Sequence, residues 1–278
     1  MSELAGKDRL IVALDVSSHE EAVHLVKTLK NVSFFKIGLQ LFFTGKVIEL
    51  IQTLRNERGG QVFLDIKWGG DIANTAGEFM QACIDSAIVK FITLIEATST
   101  AITDETIKAG KAVRSAANVQ YPHFLMVPYL SSLDSSDLKQ TQGISDLNDY
   151  ILRRGQAMID LGCDGLIVSG DAIKLCSDEF GDKIDIVSPG IRPTWASHDD
   201  HKRFTTPSQA IELGADYLVV GRPIIKAPRP RDAAQRIIEE IDSALSKKNH
   251  SPSFGSGGDM AAESTHVAFA AKGHSLET

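Results

Sequence analysis

From Arg9 to about Ser246 the chain alternates two patterns: short, almost wholly apolar runs, and longer stretches with apolar residues at helical spacing. The short runs are rich in β-branched residues. They predict strands over Leu10–Val16, Ser33–Gly38, Gln61–Lys67, Ile88–Leu94, His123–Tyr129, Gly165–Ser169, Ile184–Ser188 and Asp216–Gly221. The intervening helices carry signals of their own. Ser17 or Ser18 caps one whose first turn holds Glu20 and Glu21 and whose inner face holds Val23, Val26 and Leu29. Thr44 starts a second, with Val47, Ile48, Ile51 and Leu54 at i, i+1, i+4 and i+7 and Gly59-Gly60 as its stop. Phe79, Met80, Cys83 and Ile84 mark a third face; Ala233, Ile237, Ile238 and Ile241 mark the last.

Strands apolar on both faces and alternating with helices imply a parallel sheet covered by helices. Eight such units in roughly 235 residues fit a single-domain (β/α)8 TIM barrel spanning residues 1–246. A doubly wound open sheet is the alternative. From Lys247 to Thr278 the apolar period stops, and Ser-Pro-Ser and Gly-Ser-Gly-Gly predict a disordered tail. Its histidines, His250, His266 and His274, are too scattered to favour a metal site.

Composition narrows the partners. A net charge of −7 argues against nucleic acid, whose binders carry a basic excess. No apolar run approaches the roughly 18 residues of a membrane span, and Met1–Arg9 lacks a signal core, so a cytoplasmic protein is expected. Cys83, Cys163 and Cys176 are odd in number and widely spaced, as reduced core thiols are. There is no metal-ligand cluster, dinucleotide-binding glycine turn or Walker loop, so no cofactor and no metal are expected.

The charges sit where a barrel does its chemistry, at the C-terminal ends of strands. Asp15 closes the first strand, Lys36 the second, and Asp65 and Lys67 the third, two residues apart and so on one face. Asp71 follows on the next loop. Four charges of alternating sign on three successive strands point to a functional site, because burying charge is unfavourable unless it is paired. Strands seven and eight end in Val187-Ser-Pro-Gly-Ile-Arg-Pro193 and Val219-Val-Gly-Arg-Pro-Ile224. Barrels often bind phosphate with these two loops, and Arg222 supplies a planar donor fork.

Several segments carry a closer resemblance. They are Ala-Leu-Asp15-Val, Phe-Lys36-Ile-Gly, Phe-Leu-Asp65-Ile-Lys67, Asp71-Ile-Ala-Asn-Thr75, Ser188-Pro-Gly-Ile-Arg-Pro193 and Gly214-Ala-Asp-Tyr-Leu-Val-Val-Gly-Arg222-Pro-Ile. Together, from Arg9 to about Ile241, they resemble the orotidine 5′-monophosphate decarboxylase family. The resemblance implies a cofactor-independent decarboxylase of pyrimidine biosynthesis, converting orotidylate to UMP, and a homodimer with shared active sites. It implies that Asp15 holds the ribose, that Lys36 bridges ribose and Asp65, that Asp65 faces the substrate carboxylate, and that Lys67 protonates C6. Asp71, Ile72 and Thr75 would reach into the partner's site. Ser131 would contact the pyrimidine, with Pro189 in the substrate-binding set, and Arg222 with Gly221 would hold the phosphate. Two departures stand out. Asp71 lies four residues after Lys67, where the family usually has three, and Asp200-His201-Lys202-Arg203 carries His201 where the family often has glutamine. Rival readings are a Mg²⁺-dependent keto-sugar-phosphate decarboxylase or aldolase of the same barrel type, and a catalytically impaired UMP-binding barrel.

Overall fold

A computed structural model describes residues 4–58, 60–96, 99–130, 133–196 and 205–250. Eight parallel strands close into a barrel, each hydrogen-bonded to the next and the eighth to the first. They are β1 (Leu10–Ala13), β2 (Phe34–Gly38), β3 (Gln61–Trp68), β4 (Val89–Leu94), β5 (His123–Met126), β6 (Gly165–Ile167), β7 (Asp185–Ser188) and β8 (Tyr217–Val220). The predicted (β/α)8 architecture is therefore the observed one, with every strand at its expected place and β1, β5, β6 and β8 shorter at the C-terminal end.

The reason the strands read as continuous apolar runs is visible in their packing. One set of alternate positions fills the lumen: Ile11, Ala13, Phe34, Phe63, Phe91, Leu125, Ile167, Val187, Tyr217 and Val219. The other set, including Leu10, Val12, Phe35, Val62, Ile92 and Leu218, meets the helical jacket through residues such as Leu25, Leu54, Met80, Ile107, Ile173 and Ile241. Each large side chain taken from water contributes about 1.5–3 kcal/mol, so neither face tolerates a polar residue without a partner.

Local signals mostly act as the sequence predicts. Ser18 caps the helix His19–Thr28 by accepting from the Glu21 amide at 3.1 Å. Thr44 does not start the helix that follows, which begins at Val47. Its hydroxyl donates to the Leu41 carbonyl at 2.7 Å, closing an unpredicted short helix, Leu39–Phe42, and accepts from the Lys46 amide at 3.4 Å just before the next. The last helix runs Pro230–His250, past the predicted break at Lys247. Residues 251–278 lie outside the described residues. No helix among the described residues is long and apolar enough to cross a membrane.

One buried charge was not foreseen. Between the pairs Val62↔Val89 and Phe63↔Phe91 the register shifts, leaving Lys90 as an extra residue in β4. Its ammonium donates to the Tyr217 hydroxyl at 2.8 Å and lies 4.7–5.5 Å from the ring centres of Phe34, Phe91, Tyr121 and Tyr217. Burial pulls its pKa down, the charges of Asp185 and Asp8 oppose this in part, and the aromatic faces add a cation–π attraction.

Candidate active site

The site is built one step above the lumen core. Two residues beyond each core side chain, on the same face, stand Asp15 after Ala13, Lys36 after Phe34, Asp65 after Phe63 and Gly221 after Val219. They line a cavity of about 230 Å³ at the C-terminal mouth of the barrel, together with Lys67, Pro189, Gly190, Arg192 and Arg222. Val127, Ile167, Val168 and Leu130 form an apolar wall between the charged groups.

Four of the predicted charges form one continuous array. The Lys36 ammonium lies 3.0 Å from Oδ1 of Asp15 and 3.2 Å from Oδ2 of Asp65. Lys67 Nζ lies 2.9 Å from the other Asp65 oxygen, Oδ1. Thr93 Oγ1 donates to that same oxygen at 2.8 Å. Burial alone would pull the Lys36 ammonium down, but Asp65 and then Asp15 outweigh it and the net shift is upward. Burial likewise pushes the Asp65 carboxyl up. Lys36 and Lys67, followed by hydrogen bonds from Lys67 and Thr93, reverse this and hold it below the ordinary range. Both groups are thus kept charged by each other.

Lys67 reaches Asp65 by an unusual backbone route. Its φ is 48°, a left-handed conformation that costs a non-glycine residue roughly 1–2 kcal/mol. On the β4 side the register jumps from Leu64↔Ile92 to Trp68↔Leu94, so Asp65, Ile66 and Lys67 stand opposite Thr93 alone. This bulge turns the strand and directs the ammonium into the cavity mouth.

The loop to Asp71 turns at Gly70. With φ 86° and a Cβ position only 2.7 Å from Thr106 Oγ1, Gly70 admits no side chain. Thr106 then clamps the next residue, accepting from the Asp71 amide and donating to the Asp71 carbonyl, each at 2.9 Å. Asp71, Ile72 and Thr75 do not line the cavity of their own chain. Ile72 is 57% exposed, and the Asp71 carboxylate accepts from the Ile72 amide at 2.8 Å.

Of the other predicted residues, Asp15, Lys36, Pro189, Gly221 and Arg222 line the cavity. Ser131 and His201 lie outside the described residues. Sequence reasoning missed two groups. Arg192 belongs to the Pro-Gly-Ile-Arg-Pro segment, but only the structure shows it in the cavity wall and 5% exposed. Its Nη1 donates to the Ile191 carbonyl at 2.9 Å. Thr93 gave no signal, since a threonine in a strand is ordinary.

One end of the cavity thus offers two ammoniums against two carboxylates, and the loops after β7 and β8 offer two guanidiniums beside glycine backbone. Such a site takes a ligand with a phosphate-like anion and a second polar or anionic head.

Comparison with known proteins agrees. The chain is 36% identical over 245 residues to the orotidine 5′-phosphate decarboxylase of Nostoc sp., covering 86% of this chain and 100% of that protein. It is 38% identical over 246 residues to the enzyme of that name from Carboxydothermus hydrogenoformans, covering 86% and 98%. The crystal structure of orotidine 5′-phosphate decarboxylase from Lactobacillus acidophilus superposes with a TM-score of 0.68 at 30% identity, over 84% of this chain and 98% of that one. Residues 8–237 match the orotidine 5′-phosphate decarboxylase / HUMPS family, and the chain belongs to it.

Proposed function

We propose that this protein decarboxylates orotidine 5′-monophosphate to UMP without metal or cofactor. The observation that carries the reading is the balanced array of Asp15, Lys36, Asp65 and Lys67 at one end of a cavity whose other loops bear Arg192 and Arg222. With two positive and two negative charges the array is neutral. A substrate carboxylate beside Asp65 adds one unpaired negative charge in a partly dry site, where repulsion is strong. The C6–carboxylate bond then breaks, CO₂ leaves, and the electron pair stays on C6 facing the Lys67 ammonium. Lys67 stabilises that anion and gives it a proton, yielding UMP and a neutral amine that regains its proton from solvent.

The remaining groups bind. Asp15 accepts from ribose hydroxyls while Lys36 keeps Asp65 charged and donates to the ribose. Arg222, Arg192 and the Gly221 backbone hold the phosphate, with Pro189 against the ring. Ser131 and His201 are proposed pyrimidine and phosphate contacts on the grounds of motif resemblance alone. Phosphate binding far from C6 supplies energy that orders the site for the reaction.

The active form is a homodimer in which Asp71, Ile72 and Thr75 of one subunit complete the other's site. In support, Ile72 after β3 and the residues Leu39, Phe42, Phe43 and Ile48 after the neighbouring β2 are exposed apolar side chains, Phe43 at 84%. A self-complementary interface needs such a surface. The barrel through residue 246 is the proposed catalytic unit, and the tail contributes nothing to it. The three cysteines are free, and burial pushes their thiols up to about 12, which suits inert thiols in a reducing cytoplasm.

The test is spectrophotometric loss of orotidylate by the purified protein in the presence of EDTA. Turnover unaffected by the chelator is expected. Turnover only with added Mg²⁺, and on keto-sugar phosphates instead, would replace this reading; UMP binding without any turnover would indicate an impaired barrel.

A further inference from the structure

We propose that Thr93 is a positioning residue, acting through Asp65 to keep its carboxylate fixed while Lys67 gives up its proton; this rests on the decarboxylase reading above. Thr93 lies on β4 with no exposed surface. Its hydroxyl donates to Oδ1 of Asp65 at 2.8 Å, the same oxygen that receives Lys67 at 2.9 Å. Oδ2 is taken by Lys36 at 3.2 Å.

The two donors on Oδ1 have different fates. Lys67 must release a proton to C6 and so ceases to be a cation during the cycle. Thr93 is neutral and β-branched, with few χ1 options in a packed strand, so its donor stays where it is. It is also the single β4 residue facing the three-residue bulge Asp65–Lys67, where ladder pairing to β4 is interrupted. The hydroxyl therefore ties down the carboxylate at the stretch of β3 that lacks β4 partners, and it favours the charged form that must stand beside the substrate.

The test compares Thr93→Val, which keeps the shape and removes the donor, with Thr93→Ser, which keeps the donor. Thr93→Val is expected to lower kcat about 10- to 100-fold with KM within about threefold, and to move the acid limb of kcat to higher pH. Thr93→Ser is expected to restore kcat to within about threefold of wild type and to return the acid limb. If Thr93→Val does not fold, Thr93→Ala serves against Thr93→Ser in the same way. A second readout is independent of turnover: carboxyl-carbon NMR titration of Asp65, whose midpoint should rise in Thr93→Val and fall back in Thr93→Ser. A wild type inactive on orotidylate would overturn the decarboxylase reading, and the titration would still decide whether Thr93 holds Asp65. A Val variant with wild-type kcat and an unmoved midpoint, or a Ser variant as impaired as Val, overturns the proposal.

Discussion

The Lys67 ammonium lies 2.9 Å from Oδ1 of Asp65 and gets there from a left-handed backbone with φ 48°. Position 67 therefore sacrifices local stability to aim a side chain, a pattern found at functional sites. Replacing Lys67 by Ala or by Gly removes the ammonium in both cases, and decarboxylation should fall to near background in both. The two variants should differ in stability. Glycine adopts φ 48° without strain, so Lys67→Gly should be more stable than Lys67→Ala by about 1 kcal/mol, or roughly 2–4 °C in Tm for a chain this size. Thermal denaturation of the two side by side checks it; equal midpoints would mean that the strain is relieved elsewhere.

Charge pairing in the site sets a wide pH window. Asp65 is held below its ordinary value of 3.8, so its stabilising contribution is present above that value and is lost as pH falls through the lowered one. Lys36 is raised above 10.5, so its contribution is present below that value and is lost as pH rises past the raised one. Lys36→Met removes the strongest influence holding Asp65 down. It should shift both acid unfolding and the acid limb of kcat upward in pH, measured by thermal melts and rates between about pH 3 and 7. An acid limb that stays put would show that Lys67 and Thr93 suffice.

Arg222 and Arg192 line the same cavity as the charged array, and the proposed reading gives them the substrate's phosphate. Arg222→Ala should raise KM by about 10- to 100-fold, as loss of a charge-assisted phosphate contact does. Its deficit should shrink toward none on orotidine, which lacks the phosphate. An equal deficit on both substrates would remove Arg222 from the phosphate site. Arg192→Ala should follow the same substrate dependence.

The barrel was legible because burial on both faces leaves a strand no room for polar residues, and the few exceptions then mark the site. Asp15, Lys36, Asp65 and Lys67 stood out in that way. Lys90 was hidden by the same logic: one extra residue in β4 shifts it into the lumen, and a single-residue bulge leaves no trace in periodicity. Thr93 was hidden because threonine is at home in a strand, and its partner lies 28 residues away in sequence. Thr44 misled because a hydroxyl can close a helix by donating as readily as it can open one by accepting. Asp71 was legible as a motif residue, but its direction depends on Gly70 and on the clamp from Thr106, neither of which spacing reveals.

The absence of Asp71 from the lining of its own chain's cavity leads to the last prediction. If Asp71 acts in the partner's site, Lys67→Ala and Asp71→Ala should each be nearly inactive alone and should complement one another when combined. In a mixed dimer one site carries both lesions and the other carries neither. Random association of equal amounts makes half the dimers mixed, and half the sites in those are intact, so activity should recover to roughly a quarter of wild type for a two-fold symmetric interface. Subunits must exchange for this to appear, so the variants should be co-expressed with different tags and the doubly tagged species isolated. That species should then show about half the activity of wild type per dimer. A doubly tagged dimer with no activity would mean that Asp71 acts within its own chain, or that the residue added before it has carried it clear of either site.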